Sequence, residues 1–138
     1  MAGVNRKATR LGEEKFSYVD ARTVLDTAKI YVGEMVQADA TTGEVAPATD
    51  AASKIVLGVS TQEIDNTDDG ETISFIATSV ILMDNGGDVT KAHIGSVCYV
   101  EDAATVVKAS QTNDNVAGIV VDVTDDGVFV DFDPAKKA

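Results

Sequence analysis

The apolar residues of this chain occur in short runs rich in Val, Ile and Thr, and this feature restricts it to β architectures. The runs lie at 55–59, 72–82, 116–123 and 128–132. Val, Ile and Thr fit a pleated, half-buried surface. Asp-Gly or Gly-Gly pairs separate the runs and favour tight turns. Since no sustained 3.6-residue apolar period is present, the pattern predicts an all-β fold, either a small β-barrel or a jelly-roll-like sandwich.

The first half of the sequence is echoed in the second half. Both halves contain Thr-Asp-Asp-Gly and two glycines set among apolar residues, in the same order. The matched positions are 67–70 with 124–127, Gly33 with Gly95, and Gly58 with Gly118, at offsets of 57, 62 and 60. The echo predicts two similar halves, at 30–83 and 92–133. The alternative is that turn chemistry alone repeats these residues, as it does in many all-β proteins.

Charge divides the chain into an N-terminal arm at 1–29 and a β domain at 30–138. The arm holds six basic and four acidic residues, whereas the β domain holds five basic and nineteen acidic residues. The first 15 residues lack an apolar period, which indicates an extended arm, and 21–29 favours a short helix. Basic and apolar side chains make the arm a candidate partner contact, with a solvated terminus as the alternative. The candidates are Arg6, Lys7, Arg10, Leu11, Lys15, Phe16 and Tyr18.

Length and composition exclude several classes of function. A chain of 138 residues predicts one compact domain, and its net charge of −12 opposes binding to nucleic acid. The longest apolar-rich stretch, 73–83, is too short to span a membrane. The first residues have no apolar signal-peptide segment, which predicts that the protein is made and kept in a cytoplasm. Cys98 is the single cysteine, so no intrachain disulfide forms.

Few residues are suited to catalysis or metal binding, and we expect no enzyme activity and no cofactor. His93 and Cys98 are the single members of their types, and no nucleophile, phosphate-loop or zinc motif accompanies them. The oxygen-rich segment 65–71 could attract Ca²⁺, but a solvated hairpin turn fits it better. Asp131 and Asp133 alternate with apolar residues, which predicts an exposed strand face rather than an acid–base pair.

Five segments then follow one another in an order that resembles a known family. They are Lys-Ile-Tyr-Val-Gly-Glu-Met-Val at 29–36, Ile-Val-Leu-Gly-Val-Ser at 55–60, Gly-Glu-Thr-Ile-Ser-Phe at 70–75, His-Ile-Gly-Ser-Val-Cys-Tyr-Val at 93–100, and Val-Ala-Gly-Ile-Val-Val at 116–121. From Ile30 to Asp133 the chain resembles the capsid cement, or decoration, proteins of tailed bacteriophages. Ser96 stands where that family commonly has Asp.

The resemblance implies a non-enzymatic protein on the outer surface of a virion, made in the cytoplasm of a bacterial host. Such proteins bind the expanded capsid, bridge neighbouring capsomers and resist the pressure of packaged DNA. The implied partners are the major capsid protein and sister copies of the chain, in dimers or trimers. The alternatives are a tail-tube or fibre-associated β module, or a small-ligand or calcium-binding β-barrel.

Overall fold

The structure, a computed structural model, describes residues 3, 18–19, 22–23, 28–61, 63–65, 72–73, 76–109 and 111–133. The described residues form β-strands and one 3-10 helix, Lys91–His93. The strands are β1 (Tyr18–Val19), β2 (Arg22–Thr23), β3 (Lys29–Ile30), β4 (Met35–Asp39), β5 (Val45–Pro47), β6 (Lys54–Ser60), β7 (Ile64–Asp65), β8 (Thr72–Ile73), β9 (Ile76–Ala77), β10 (Val80–Asn85), β11 (Val97–Asp102), β12 (Thr105–Val107), β13 (Val116–Thr124) and β14 (Gly127–Asp131). The all-β prediction is confirmed. The predicted helix at 21–29 is wrong where the structure describes it, because β2 and β3 lie there.

Five strands of the second half pair in a closed ring. Antiparallel pairs connect β10 to β14, β14 to β13, β13 to β11 and β11 to β12, and β12 returns in parallel to β10. The Asp84 N–H donates to the carbonyl of Ala104, and the Gly86 N–H donates to that of Val106, both at 2.9 Å. These two bonds close the ring. We name strands β10 to β14, residues 80–131, the second unit.

The first half repeats this strand order in an open sheet. Its order β1-β9-β6-β4-β5 matches the order β10-β14-β13-β11-β12 of the second unit. The pair β2–β8 continues the antiparallel register of β1–β9. Among the described residues, no parallel pair corresponding to β10–β12 closes this sheet. We name the strands from Tyr18 to Ala77 the first unit.

The two units also share their residue-by-residue pairing. Val36 lies opposite Gly58 in the first unit, and Cys98 lies opposite Gly118 in the second. The register shifts directly after Val36 and directly after Cys98, which places a bulge at the same point of each unit. The glycines that echo in the sequence therefore occupy corresponding positions in the fold.

The turns before β4 and β11 correspond in the same way. Gly33 and Gly95 have φ angles of 86° and 90°, in the left-handed region that favours glycine. The Gly33 N–H donates to the carbonyl of Ser60, and the Gly95 N–H donates to that of Val120, both at 2.8 Å. A left-handed glycine thus lies two residues before each of the corresponding strands β4 and β11.

The unit boundaries differ from the predicted halves. The corresponding strands run from Tyr18 to Ala77 and from Val80 to Asp131, whereas the sequence echo predicted 30–83 and 92–133. The strand β10 begins the second unit instead of ending the first. Likewise β1 and β2, which lie within the predicted arm at 1–29, pair with strands of the β domain.

A shared apolar core joins the two units. Met35, Ala48, Val56 and Val59 of the first unit lie in one buried cluster with the interior side chains of the second unit. A separate cluster belongs to the first unit: Ile30, Val36, Ala38, Val45 and Ile76. Adjacent residues on a strand face opposite ways, so β4 supplies Met35 to one cluster and Val36 to the other. The closed ring fits the barrel alternative, and the sheet packed on it fits the sandwich alternative.

Candidate interaction surfaces

The structure describes only the end of the predicted contact segment. Six of the candidate residues lie outside the described residues: Arg6, Lys7, Arg10, Leu11, Lys15 and Phe16. The seventh, Tyr18, lies in β1, where its backbone pairs with that of Ala77 at the edge of the first unit's sheet. The contacts predicted for these side chains stay predictions.

A second point of the N-terminal segment lies against the first unit. The Gly3 N–H donates to Oε2 of Glu34 at 2.7 Å. Glu34 is only 2% exposed, and its Oε1 accepts the N–H of Tyr31 at 3.0 Å. Gly3 and Tyr18 therefore both contact the body of the protein.

The loops that precede β6 and β13 meet between the units. The Asp50 carboxylate accepts the N–H groups of Thr112 and Asn113 at 2.9 and 3.0 Å. The Asn113 side chain donates back to the carbonyl of Asp50 at 3.1 Å. A carboxylate that accepts two backbone amides holds a loop in one conformation. Asp50 therefore fixes the second unit's loop on the first unit.

A buried amide network lies beneath these loops. Asn115, 5% exposed, donates through Nδ2 to Oε1 of Gln37 and to the carbonyl of Thr49, both at 2.9 Å. Gln37 in turn donates to Oγ1 of Thr49 at 3.1 Å and accepts the Thr49 N–H at 3.0 Å. Satisfied buried networks of this kind specify one arrangement of the parts that they join.

A groove of about 300 Å³ opens over this junction. Residues 51–56 of the first unit and 113–116 of the second line it, and these segments precede or begin the corresponding strands β6 and β13. Ile55, 55% exposed, presents apolar surface beside it. The volume of the groove lies at the lower limit for small-molecule pockets, which is about 300 Å³.

Carboxylates surround one end of the ring. Asp84, Asp125 and Asp126 line a depression of about 460 Å³ between the loop after β10 and the hairpin at 124–127. Close by in sequence, Lys91 Nζ lies 3.1 Å from Oδ1 of Asp122, and this hydrogen bond lowers the pKa of Asp122. Such a surface repels polyanions and favours cationic partners.

Asp39 organises the β4–β5 hairpin. Lys54 Nζ lies 2.6 Å from its Oδ2, while Oδ1 accepts the N–H groups of Thr41 and Thr42 at 2.8 and 3.0 Å. The hydrogen bond from Lys54, followed by those from Thr42 and Thr41, lowers the pKa of Asp39 to about 2. The carboxylate is therefore ionised at neutral pH and holds the hairpin.

The residues considered for catalysis have structural partners. His93 ends the 3-10 helix, and its Nδ1 accepts the Thr90 N–H at 3.0 Å. Cys98 is fully buried on β11, and its thiol donates to the carbonyl of Gly118 at 3.6 Å. The two side chains thus lie on different elements, and Cys98 packs as a small core residue.

The structure describes only part of the candidate calcium site. Within the described residues, no group of three His, Cys, Asp or Glu side chains is arranged to hold a metal ion. Of the segment 65–71, the structure describes Asp65 alone.

The expectation that Asp131 is exposed is wrong: it is 5% exposed, and its Oδ1 accepts the Asp133 N–H at 3.0 Å. Four of the five residues of β14 are buried, so the strand is covered on the side of Asp131 as well as on the side of Val128 and Val130.

Sequence reasoning missed the polar residues that join distant parts of the chain. Glu34, Asp50 and Asn115 each bind groups at least 31 positions away. Only Glu34 carried a local signal, because an acidic residue directly follows the left-handed Gly33 in the resembling segment. Asp50 and Asn115 sit in loops whose composition is typical of any turn.

No protein-family model, no curated protein and no solved structure matches this chain. Among the described residues, none of the helices has the length and apolar character needed to cross a membrane.

Proposed function

We propose that this chain is a non-enzymatic structural protein of a tailed-phage virion. It binds the outer surface of the capsid and cements neighbouring capsomers against the pressure of the packaged DNA. Its partners are the major capsid protein and sister copies of itself. The protein is made in the cytoplasm of the bacterial host and resides on the virion.

The positions of the resembling segments carry this proposal. The segments at 29–36 and 93–100 contain the turns before β4 and β11 and the first residues of these strands, and those at 55–60 and 116–121 lie on β6 and β13. The motifs therefore coincide with corresponding, mutually paired strands of a duplicated β fold. Motifs that recur by chance at turns would not be expected to pair in the same register twice.

The charge of the β domain and the many copies that a capsid lattice would bind support the same function. The β domain carries nineteen acidic and five basic residues, which opposes contact with DNA and favours a position outside the shell. Many copies on a closed lattice make the attachment multivalent, so modest affinity at each contact suffices. The core and hydrogen bonds that join the two units let one chain resist separation of the surfaces that it bridges.

Co-sedimentation of the purified chain with capsids tests the proposal. We expect saturable binding to expanded, undecorated shells in a fixed ratio to the major capsid protein, and none to unexpanded procapsids. Binding to neither shell would refute the proposal. Rings or tubes formed by the pure protein would instead favour a tail-tube role.

A charge-neutralised variant tests the predicted contact segment. The substitutions Arg6→Gln, Lys7→Gln, Arg10→Gln and Lys15→Gln remove the basic run. We expect much weaker binding to expanded shells at low salt and a smaller difference from wild type at high salt, since salt screens the electrostatic contacts that only the wild type makes. The matched control is Lys91→Gln on the body, whose side chain is 71% exposed. Equal binding by both variants would exclude the segment as a capsid contact.

A further inference from the structure

The groove between the two units has rigid walls that come from corresponding loops. Ser53 lies directly before β6, and Asp114 lies in the loop directly before β13. Their φ angles are 58° and 49°, and within the described part of the chain they are the two non-glycine residues in the left-handed region. Such a conformation persists only where the surrounding structure holds it. The hydrogen bonds of Asp50 and Asn115 across the junction hold both walls, so the groove is preformed.

The groove places apolar surface beside negative charge that no cation neutralises. Ile55 is exposed on one wall, and Ala51 and Ala52 also line it. Asp114 lines the opposite wall, and Asp50 directly precedes Ala51. Among the described residues, neither carboxylate pairs with a lysine or arginine, and both accept backbone N–H groups instead. The complementary occupant therefore carries an apolar side chain next to a positive charge.

The turn at 90–96 of the second unit has this chemistry. Ile94 is 46% exposed, and with Ile55 it makes up the large apolar side chains that the described residues expose. Lys91 precedes it by three residues, and its side chain is largely exposed although it pairs with Asp122. The turn at 90–96 contains no acidic residue. An apolar side chain and a cation therefore lie together on the surface of an acidic protein.

The backbone holds Ile94 rigidly and outside the groove of its own chain. The Ile94 N–H donates to the carbonyl of Lys91 at 3.3 Å, and the Gly95 N–H donates to that of Val120 at 2.8 Å. The groove reaches β13 at Val116, four residues before Val120, which is about 13 Å along a strand. Ile94 does not line the groove, so this turn and the groove meet only between copies.

We propose that the groove of one chain receives the Ile94 turn of a second copy. Ile94 packs against Ile55 of the neighbouring copy, and Lys91 approaches the carboxylate of Asp114. The apolar contact supplies the affinity, whereas a charge at the rim mainly speeds the encounter. Since different surfaces of the two chains meet, repeating the contact builds a ring when the rotation between copies closes. The inference deepens the proposed function, on which the place of these sister copies at the capsid rests.

Cysteine cross-linking of the pure, full-length chain tests the contact. Ala52→Cys lies on the groove and Ala92→Cys lies on the turn; both positions are exposed, and both isoleucines are kept. Cys98 is fully buried and does not react. When the two variants are mixed with a short bifunctional maleimide, we expect the mixed dimer to form at least about tenfold faster than when Ala92→Cys also carries Ile94→Asp. Equal rates would overturn the proposal.

Sedimentation velocity at rising protein concentration is the second measurement. We expect the wild-type chain to associate, and Ile94→Asp and Ile55→Asp each to raise the midpoint concentration at least about tenfold. Asp125→Ala, at an exposed residue of the hairpin beyond β13, leaves the midpoint unchanged. All three side chains are exposed, so the melting temperature of the monomer changes little in each variant. A wild-type chain that stays monomeric at every concentration would overturn the proposal.

Capsid binding separates this inference from the proposed function, because both measurements above use the pure protein. If copies cross-link through the groove and the turn but the chain binds no shell, the proposed function fails and the contact between copies stands. If the chain binds expanded shells but Ile94→Asp does not slow cross-linking, the contact fails and the proposed function stands.

Discussion

Gly118 is the position where a single methyl group should damage the fold most clearly. A Cβ added there would lie against the carbonyl oxygen of Asp131 and 2.7 Å from Cγ1 of Val130. Both atoms belong to β14, which is paired on both of its edges within the closed ring. The Asp131 carbonyl cannot move away without disturbing that pairing, and Val130 is fully buried.

The size of the effect follows from this geometry. Overpacking a core costs about 1–3 kcal/mol, and because the clash is with backbone we expect Gly118→Ala to cost about 3 kcal/mol. Unfolding entropy of about 2.1 cal/mol/K per residue amounts to about 0.29 kcal/mol/K for 138 residues. We therefore expect the melting temperature to fall by about 10 °C, measured by circular dichroism and calorimetry.

Gly43→Ala is the matched control for Gly118→Ala. Gly43 has a φ of 75°, and a Cβ there would meet no atom within 4 Å. Only backbone strain of about 1 kcal/mol is expected, or about 3 °C. If Gly118→Ala melted no lower than Gly43→Ala, the close approach of β13 and β14 at Gly118 would be refuted.

Three further predictions concern the core, the junction of the units and acid stability. Phe132→Ala, at a fully buried side chain, should lower the unfolding free energy by about 3–5 kcal/mol in urea titration, and a loss under 1 kcal/mol would contradict its core position. Asp50→Ala removes the acceptor of two amides and should cost about 1 kcal/mol, whereas Asp126→Ala at the exposed hairpin should change stability little. The pKa of Asp39 falls from 3.8 to about 2 on folding, so its stabilisation is complete above pH 3.8 and is lost as pH falls through 2. The difference in melting temperature between wild type and Asp39→Asn should therefore shrink between pH 4 and pH 2, and a constant difference would contradict the ion pair with Lys54.

Local sequence patterns predicted much of the fold. The apolar run at 128–132 predicted a strand, and β14 covers most of it; Val128, Val130 and Phe132 are fully buried. The helix expected at 21–29 failed because Arg22–Thr23 pairs with Thr72–Ile73, a partner 50 positions away that no local pattern reveals. Strand pairing with a distant segment routinely overrides short-range helix propensity.

The candidate surfaces were less predictable than the strands. Alternation along the strand predicted that Asp131 is exposed, yet four of the five residues of β14 are buried and Asp131 is only 5% exposed. Glu34 lies in one of the resembling segments, but no local pattern predicted that it is buried and accepts the N–H of Gly3. Burial of a polar residue depends on what packs over it, and the spacing of apolar residues along one strand contains no information on that.

The sequence by itself determined the all-β class and the corresponding glycines of the two units. Side-chain alternation, turn chemistry and the left-handed conformation at Gly33 and Gly95 are local properties, and each acts within a few residues. Tertiary structure alone decided the unit boundaries, the closure of the second unit and the contact of Gly3 with Glu34. These features depend on which distant segments meet, and that choice is made by the free energy of the whole packed chain.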